Sequence, residues 1–259
     1  MAFNKPITSF YNKRIWVIGA TSGIGLACTK DFLSHGAKVA ISARRTDLLQ
    51  EINNTYSDDQ VLALALDARN HTELSNAYQA IKAAWGGLDL MVFVSGIYEP
   101  MRADNFDLSK AKNIIDLNIM GPMSACEVVM PDFISSNSGG IAIVSSVAGY
   151  SGLPKALAYG PSKAAMINFC ENLYYDLKPK GVSVYMINPG FVATDATANN
   201  DFHMPALITP EKASEYILDG IQAGKFDIHF PKRFSLFLKF LRILPYSIYF
   251  YLLKKFVKI

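Results

Sequence analysis

The sequence contains few of the residues that form disulfide frameworks or metal centres. It has three cysteines (Cys28, Cys126 and Cys170) and four histidines in 259 residues. The cysteines are odd in number and widely spaced, and the histidines have no partner spacing, so the sequence predicts neither a disulfide framework nor a metal site. Because unpaired cysteines are typical of reducing compartments, we expect a cytoplasmic protein.

The chain also lacks an apolar signal segment, a linker and an internal repeat. Residues 1–14 are polar and contain no apolar core of the kind that signal peptides have. No stretch rich in proline, serine or glycine divides the chain, and a hydrophobic content of 51% is ample for a buried core. We therefore expect one domain over residues 1–230, followed by an appendage, the C-terminal tail, over residues 231–259.

The formal net charge of +3 conceals an uneven distribution of charge. Residues 225–259 carry eight Lys/Arg and one acidic residue, a balance of +7, whereas residues 1–224 have a balance of −4. The body of the chain has no basic surplus, and we expect no nucleic-acid partner. The basic surplus belongs to the apolar C-terminal end.

Short apolar segments alternate with helical patterns along the body of the chain. The apolar segments are residues 14–18, 38–42, 61–66, 88–94, 140–144, 183–187 and 227–230. This alternation is typical of βαβ units, so the sequence predicts an α/β fold with a parallel sheet and helices on both faces. Ligands of such sheets bind at the carboxyl ends of the strands.

A glycine-rich turn follows the first predicted strand and precedes a helical pattern. Gly19, Gly23 and Gly25 stand in a G-x-x-x-G-x-G spacing. Backbone N–H groups of such a turn can approach a phosphate, and the helix N-terminus adds favourable partial charge. The spacing differs from the commoner dinucleotide fingerprint, so a tight turn without a ligand is the alternative.

Two arginines follow the second predicted strand. In dinucleotide folds an acidic residue at this place binds the ribose 2′-hydroxyl, whereas an arginine accommodates a 2′-phosphate. Here Ala43 occupies the acidic position, and Arg44 and Arg45 come next. The pattern favours NADP(H) over NAD(H), with Arg44 at the phosphate; the alternative is a basic pair at the protein surface.

Tyr159 and Lys163 are four residues apart at the start of a predicted helix, and Ser146 lies thirteen residues upstream of the tyrosine. Positions i and i+4 share one face of a helix, so we expect the phenol and the ammonium side by side. An adjacent cation favours a phenolate, which predicts that Lys163 lowers the pKa of Tyr159. Such a pair can act as a general acid or base toward a carbonyl or alcohol, although a solvated helix face has the same spacing.

Together these motifs resemble those of the classical short-chain dehydrogenase/reductase family. The resemblance covers residues 12–230, and the motifs occur in the family's order: Gly19-x-x-x-Gly23-x-Gly25, Asp67, Asn118, Ser146, Tyr159-x-x-x-Lys163, and Pro189-Gly190 with Thr194. The resemblance implies a Rossmann-type, doubly wound sheet of seven parallel strands. It also implies hydride transfer between the nicotinamide of NADP(H) and a carbonyl or alcohol.

The resemblance implies a role for each site residue. Tyr159 is expected to be the acid in reduction and the base in oxidation, and Ser146, with Ser145 as its rival, to hydrogen-bond the substrate oxygen. Lys163 is expected to bind the nicotinamide ribose, and Asn118 to bind a water that links Lys163 to solvent. The expected cofactor contacts are Gly19, Ser22, Gly23, Ile24, Gly25, Arg44, Asp67 (at the adenine), Gly96, Tyr159, Lys163, Pro189, Gly190, and Val192 and Thr194 (at the carboxamide).

One motif departs from the family. The family usually has Asn-Asn-Ala-Gly after the fourth strand, whereas this chain has Phe93-Val94-Ser95-Gly96. In the family, the first asparagine commonly stabilises the central sheet. We expect the Phe93 side chain to replace that polar interaction with apolar packing. Gly96, which allows the backbone to approach the cofactor, is retained.

The C-terminal tail is basic and apolar, and Pro245 interrupts it. Each half is too short and too charged for a convincing transmembrane span. Basic amphipathic helices with aromatic residues are typical of membrane interfaces, so we expect contact with the inner face of a membrane through residues 233–259. The alternatives are packing on the domain as a lid over the substrate pocket, and a subunit contact. The residues that form one helical stripe are Phe234, Phe237, Leu238, Leu241 and Leu244.

Apolar residues also occur in the segment that usually covers the substrate in this family. Residues 194–209 contain Phe202, Met204 and Leu207. They indicate an apolar pocket, so we expect the substrate to be a small apolar, lipid-like carbonyl compound or alcohol.

The remaining expectations concern the oligomer and the class of protein. The family often dimerises through the helices expected here at 109–120, 123–136 and 159–177, so we expect a homodimer or homotetramer. The alternative function is a non-catalytic nucleotide-binding or membrane-scaffold protein on the same fold. Phe93 and the apolar tail favour this alternative, whereas the complete Ser146, Tyr159 and Lys163 set opposes it.

Overall fold

The structure, a computed structural model, describes residues 3–57, 59–198 and 204–256 of the chain. Within these residues, seven strands form one parallel sheet in the order β3-β2-β1-β4-β5-β6-β7. The Rossmann-type, doubly wound architecture predicted from the sequence is therefore confirmed. The strands are β1 (Arg14–Ile18), β2 (Lys38–Ala43), β3 (Val61–Ala65), β4 (Leu90–Phe93), β5 (Gly140–Val144), β6 (Ser183–Pro189) and β7 (Asp227–Phe230).

Helices connect successive strands and cover both faces of the sheet. Helix α6 begins at Tyr159, where the sequence predicted a helix start. The helices are α1 (Gly23–Ser34), α2 (Thr46–Thr55), α3 (His71–Trp85), α4 (Leu108–Ile115), α5 (Gly121–Ser135), α6 (Tyr159–Leu177), α7 (Asp195–Ala198), α8 (Pro210–Gln222), α9 (Lys232–Arg242) and α10 (Tyr246–Phe256).

Two apolar cores lie on opposite sides of the sheet, and the strands contribute to both. Alternate residues of a strand point to opposite faces. Trp16 and Ile18 of β1 belong to one core, with side chains of α3, α5 and α6, whereas Ile15 and Val17 belong to the other, with side chains of α1 and α8. These four residues are fully buried, which is typical of a parallel strand covered on both faces.

The strand order reverses beside β1, and this reversal creates the crevice of the fold. The chain adds β2 and β3 on one side of β1 and then crosses over to place β4 on the other side. Ligands of open α/β sheets bind where the loops after such strands diverge. The two strand ends are close together here, since a Cβ on Gly19 would lie 2.7 Å from the backbone nitrogen of Ser95.

The helical segment around Asn118 differs from the prediction. The sequence predicted one helix over residues 109–120, but α4 ends at Ile115 and a π-helical turn spans Asp116–Met120. A π-turn adds one residue to the helical repeat and often lies at functional sites. The side chain of Asn118 is 1% exposed, so it is not the solvated residue that a regular helix surface would present.

Phe93 packs where the family usually has an asparagine. Its side chain is 1% exposed and lies in the same core as α3 and α5. A Cβ on Gly121, at the start of α5, would lie 3.0 Å from Cζ of Phe93. Apolar packing therefore occupies this position, and a glycine on the neighbouring helix provides the room for the ring.

The C-terminal tail forms two helices that pack on the domain. Leu238 and Leu241 of α9, and Tyr249 and Leu253 of α10, are at most 7% exposed and belong to the same core as α5 and α6. The packing alternative is therefore correct for the inner face of the tail. Across the described part of the chain, no helix is both long and apolar enough to cross a membrane. Residues 257–259 lie outside the described residues.

Candidate active site

The glycine-rich turn after β1 has a backbone that other residues would strain. Gly19 (φ +96°) and Gly23 (φ +51°) adopt left-handed conformations, which favour glycine. A Cβ on Gly23 would lie 2.8 Å from Cγ2 of Thr194, and a Cβ on Gly25 would lie 2.0 Å from the carbonyl oxygen of Gly19. The spacing therefore allows the first turn of α1 to pack directly on the preceding turn.

The N-terminus of α1 opens on the crevice without a competing cap. The side chain of the N-cap residue, Ser22, makes no capping hydrogen bond, and the first turn contains no acidic residue. The first N–H groups of a helix have no intrahelical partner, and they carry partial positive charge. The glycine turn and this helix end therefore fit a phosphate group of a dinucleotide.

Three arginines lie near the carboxyl ends of β2 and β3. Arg44 and Arg45 line the crevice, and Arg45 donates a hydrogen bond of 3.1 Å to the hydroxyl of Thr21 in the glycine turn. Arg69, which the sequence analysis missed, donates to both carboxylate oxygens of Asp67. These hydrogen bonds are the main cause of the lowered pKa of Asp67, and the charge of Arg44 contributes. This end of the crevice is suited to a phosphate.

Ser146, Tyr159 and Lys163 come together at the end of β5. Ser146 accepts a hydrogen bond of 3.1 Å from the N–H of Ala148, which orients its hydroxyl, and that hydroxyl contacts the phenol of Tyr159. Lys163, one turn further along α6, is 4% exposed. Its Nζ donates a hydrogen bond of 2.9 Å to the carbonyl oxygen of Val144. The three side chains therefore form one cluster.

Ser145 has a different role from Ser146. Its hydroxyl donates a hydrogen bond of 2.8 Å to the carbonyl oxygen of Lys163, which joins the end of β5 to α6. The Ser146 hydroxyl donates a hydrogen bond of 3.4 Å to the carbonyl oxygen of Pro189, and of the two serines it is the one that lowers the pKa of Tyr159.

The electrostatics of the tyrosine and lysine pair differ from the prediction. Burial raises the pKa of Tyr159 to about 12, and the hydrogen bond from Ser146 only partly offsets this shift. Burial also lowers the pKa of Lys163, to about 8. The prediction that Lys163 lowers the pKa of Tyr159 is therefore wrong for this structure. The removal of water from around the phenol raises its pKa more than any effect of the Lys163 amine lowers it. The Nζ of that amine lies 5.6 Å from the centroid of the ring.

Asn118 lies behind the crevice and connects two of its walls. Its amide exchanges two hydrogen bonds of 2.9 Å with the backbone of Ile97, and it donates a third, of 3.1 Å, to the hydroxyl of Ser162. A Cβ on Gly96 would lie 3.3 Å from the amide oxygen of Asn118 and 3.4 Å from Nζ of Lys163. A glycine at this position therefore allows the amide and the amine to approach each other.

A cleft of about 1300 Å³ connects the glycine turn, the arginines and the tyrosine. Pockets for one small molecule usually measure about 300–1,000 Å³, so this cleft has room for a cofactor and a substrate together. Gly25 and Asn118 do not line it, and both act through packing and hydrogen bonds beneath its surface. The predicted residues that do line it are Gly19, Ser22, Gly23, Ile24, Arg44, Asp67, Gly96, Ser146, Tyr159, Lys163, Pro189, Gly190, Val192 and Thr194.

The apolar half of the cleft is lined by Tyr98, which no motif indicates, and by the tail helices, in agreement with the alternative that the tail covers the substrate pocket. Tyr98 packs edge-on against Tyr159, with ring centroids 5.0 Å apart. The helical stripe of the tail was a signal for a buried face, but a stripe does not indicate which surface covers it. The tail residues that line the cleft are Phe234, Phe237, Leu238, Leu241 and Leu253.

The segment after β6, residues 194–209, lines the cleft through residues 194–197 and Pro205, not through the apolar residues that were expected to do so and that the structure describes. Phe202 lies outside the described residues. Met204 and Leu207 do not line the cleft, and Leu207 is 44% exposed; Pro205 of this segment does line it. Among the described residues, the C-terminal tail supplies a large part of the apolar wall. Within the described residues, no group of three or more His, Cys, Asp or Glu side chains could bind a metal ion.

Comparisons of the sequence with known proteins agree with this geometry. The family model described as short chain dehydrogenase matches residues 13–204. The chain is 32% identical over 231 residues to a protein of Myxococcus xanthus named an uncharacterized oxidoreductase, and the match covers 88% of this chain and 91% of that protein. It is 27% identical over 219 residues to an uncharacterized oxidoreductase of Staphylococcus aureus, covering 85% and 95% of the two chains.

Solved structures resemble the fold over most of its length. A short chain dehydrogenase from Burkholderia cenocepacia in complex with NADP superimposes with a TM-score of 0.82 at 21% identity, covering 93% of this chain and 97% of that chain. A serine dehydrogenase from Escherichia coli superimposes with a TM-score of 0.75 at 27% identity, covering 84% and 96%. At 21% identity the first likeness concerns the fold alone.

Burial of Lys163 predicts a pH dependence of stability. Its pKa in the folded protein is about 8, against an ordinary value of 10.5, so between these values the unfolded chain binds more protons. The free energy of unfolding therefore rises with pH across this window. Between about pH 7 and about pH 10, the wild type should gain about 2–3 kcal/mol relative to Lys163→Met. Urea unfolding of both proteins at both pH values measures this gain, and a constant difference would contradict burial as its cause.

Proposed function

The chain belongs to the short-chain dehydrogenase family, and we propose that it is an NADP(H)-dependent oxidoreductase that acts on a carbonyl or alcohol of an apolar, lipid-like substrate. The observation that carries the proposal is the cluster of Ser146, Tyr159 and Lys163, which opens on the same cleft as the N-terminus of α1. A proton donor therefore shares one cleft with a phosphate-binding helix end. Reduction of a carbonyl needs this combination of groups.

The residues around the cleft fit NADP(H). The backbone around Gly23 binds the pyrophosphate, Arg44 binds the 2′-phosphate and Asp67 lies at the adenine. Thr194 contacts the carboxamide, and Lys163 the nicotinamide ribose. When bound, the cofactor supplies a hydride in reduction and accepts one in oxidation. The left-handed glycines, the uncapped helix end and the arginines support this assignment.

The task of the protein's own side chains is to orient the substrate and move one proton. Tyr159 donates its phenolic proton to the carbonyl oxygen in reduction and takes one back in oxidation. A pKa of about 12 keeps the phenol protonated at neutral pH, the form that reduction needs. Ser146 donates a hydrogen bond to the same oxygen as negative charge develops on it. Asn118 binds the water that connects the Lys163 amine to solvent, so the proton that Tyr159 gives up can be replaced.

Removing the phenolic hydroxyl tests the chemistry. We expect Tyr159→Phe to reduce turnover of ketones with NADPH by about 10²–10⁴-fold, because the proton donor is lost, while NADPH binding changes little. The matched control is Tyr98→Phe, which removes a hydroxyl from the ring packed against Tyr159 and should keep turnover within about tenfold of the wild type. Steady-state kinetics and NADPH fluorescence titration measure the two effects. Full activity of Tyr159→Phe would show that Tyr159 is not the proton donor.

Removing a cleft arginine tests the cofactor preference. We expect Arg44→Ala to weaken NADPH binding by about 10–100-fold, because a charge-assisted hydrogen bond to the 2′-phosphate is lost, and to leave NADH binding nearly unchanged. Arg102→Ala is the matched control, since Arg102 is also exposed in the cleft but lies near Leu153 and Lys155, away from the arginines after β2. Isothermal titration calorimetry with both cofactors measures the ratio of the NADPH and NADH dissociation constants. An equal loss for NADPH and NADH would contradict the preference.

We further propose that the outer face of the C-terminal tail binds an anionic membrane surface. The outer face is formed by large apolar side chains that are 47% to 78% exposed. Burying one such side chain stabilises by about 1.5–3 kcal/mol, and each cation near anionic lipid adds about 1 kcal/mol. Exposed cations of the tail are Lys232, Arg233, Lys254 and Lys255, whereas Lys239 pairs with Asp227 and Arg242 donates a hydrogen bond to Tyr150. The outer-face residues are Leu236, Phe240, Ile243, Tyr246, Ile248, Phe250 and Tyr251.

Point substitutions test membrane binding better than truncation, because removal of the tail would also uncover the apolar core beneath it. We expect Phe240→Glu with Phe250→Glu to reduce flotation with equimolar phosphatidylglycerol and phosphatidylcholine vesicles at least about tenfold, since carboxylates are repelled by anionic lipid. The control, Phe3→Glu with Tyr11→Glu, changes two exposed apolar residues of the domain and should float like the wild type. Equal flotation of both variants would contradict the proposal. Loss of a dimer in the tail variant alone would show that the outer face of the tail binds a second copy of the chain instead of a membrane.

The homodimer or homotetramer stays a prediction. Leu108, Ile115, Met120 and Tyr175 are exposed apolar residues on or near the helices through which the family often dimerises. The alternative function, a non-catalytic nucleotide-binding or membrane-scaffold protein, would be favoured by tight NADPH binding without turnover in a broad ketone screen. The proton-transfer cluster in the cleft supports the enzyme over this alternative.

A further inference from the structure

We propose that the C-terminal tail forms a binding wall for an aliphatic chain, so that the substrate is a long-chain carbonyl compound or alcohol; this inference rests on the proposed function. Of the side chains that the structure describes, those that α9 and α10 place on the cleft with Tyr159 are all apolar. These five residues, here called the tail wall, are Phe234, Phe237, Leu238, Leu241 and Leu253.

The tail wall lies beside the catalytic half of the cleft. Phe234 packs on Phe191 of the loop after β6, with ring centroids 5.6 Å apart. A Cβ on Gly190 would lie 3.0 Å from Cδ1 of Phe234, so the start of α9 is pressed against this loop. The same loop contains Val192 and Thr194, which line the cleft next to the glycine turn. Because Thr194 is the residue proposed to contact the nicotinamide carboxamide, a chain on the tail wall would lie toward the nicotinamide end of the cleft rather than at the adenosine end.

Polar contacts fix the tail to the loop that precedes α6. The guanidinium of Arg242 donates a hydrogen bond to the carbonyl oxygen of Tyr150, and the hydroxyl of Tyr249 donates one to the carbonyl oxygen of Gly152. The loop so held connects the catalytic serine to the catalytic tyrosine. A wall that is already ordered requires little loss of protein entropy when a chain binds to it, which favours its use as a binding surface.

Phe237 marks the place where the tail wall reaches solvent. It is 40% exposed, whereas Leu241, one turn further along, is 2% exposed. Successive helical residues are about 100° apart, so Phe237 lies between Leu241 and the exposed Phe240 around the helix. The apolar surface of α9 therefore continues from solvent, past Phe237, into the cleft. An aliphatic chain can cover this surface while its carbonyl reaches Tyr159, whereas a compact polar substrate would leave the wall in contact with water.

A series of methyl ketones from 2-butanone to 2-dodecanone, reduced with NADPH in the absence of vesicles, tests the inference. Each methylene buried on the wall should raise kcat/KM about fourfold, the change that corresponds to about 0.8 kcal/mol per buried CH₂. Phe237→Ala should reduce the ratio of kcat/KM between the longest and shortest ketones about tenfold. The matched control is Phe240→Ala, which removes a phenylalanine of the same helix that is 54% exposed and does not line the cleft, and it should leave the ratio unchanged.

Displacement of bound anilinonaphthalene sulfonate by the same ketones, measured with NADP⁺ present, gives a second measurement that does not need turnover. Phe237→Leu should retain most of the chain-length preference in both assays, because it keeps an apolar side chain at this position. The proposal that the tail wall binds an aliphatic chain would be overturned if neither assay depends on chain length, or if the two alanine substitutions have equal effects. Either result would leave the oxidoreductase proposal intact. Displacement that depends on chain length and on Phe237, without reduction of any ketone, would support the wall and overturn the proposed chemistry.

Discussion

The hydrogen bond from Nζ of Lys163 to the carbonyl oxygen of Val144 is the interaction on which the rest of the site depends. It joins the second turn of α6 to the last residue of β5, and Ser145 doubles the connection by donating to the carbonyl oxygen of Lys163. Tyr159 lies one turn before Lys163, and Ser146 directly follows Ser145. These two hydrogen bonds therefore hold the phenol of Tyr159 and the hydroxyl of Ser146 near each other. The loop between them connects β5 to α6.

The burial that fixes this site also determines its charge. An amine in water would remain cationic and favour a phenolate beside it, but Lys163 is 4% exposed. Burial disfavours the charged form of each partner, so the pKa of Tyr159 rises while the pKa of Lys163 falls. The resting site is therefore biased toward a neutral phenol and a weakly basic amine. Negative charge in such a site becomes favourable only where a bound molecule and the Ser146 hydroxyl stabilise it.

The fold and the cofactor half of the cleft could be predicted because their signals are local in the sequence. Buried strands appear as short apolar runs, and the left-handed turn at Gly19 and Gly23 requires glycine. The remainder depends on contacts between distant segments. Gly25 packs on the preceding turn instead of lining the cleft, and a π-turn moves Asn118 inside. The direction of the Tyr159 pKa shift depends on burial, and a four-residue spacing gives no information about burial. Similarly, a helical stripe in the tail does not indicate which surface it covers.

The apolar content of the tail exceeds what its packing on the domain requires. A stripe about 100° wide is enough to cover one side of a helix, and Leu238 and Leu241 already form it in α9. Leu236 and Phe240 lie outside this stripe and remain exposed, and exposed apolar patches of this kind mark interaction surfaces. Phe237 lies between the two sets. A lipid surface bound on the outer side would therefore meet the mouth of the cleft, so an aliphatic substrate could pass from one apolar surface to the next without crossing water.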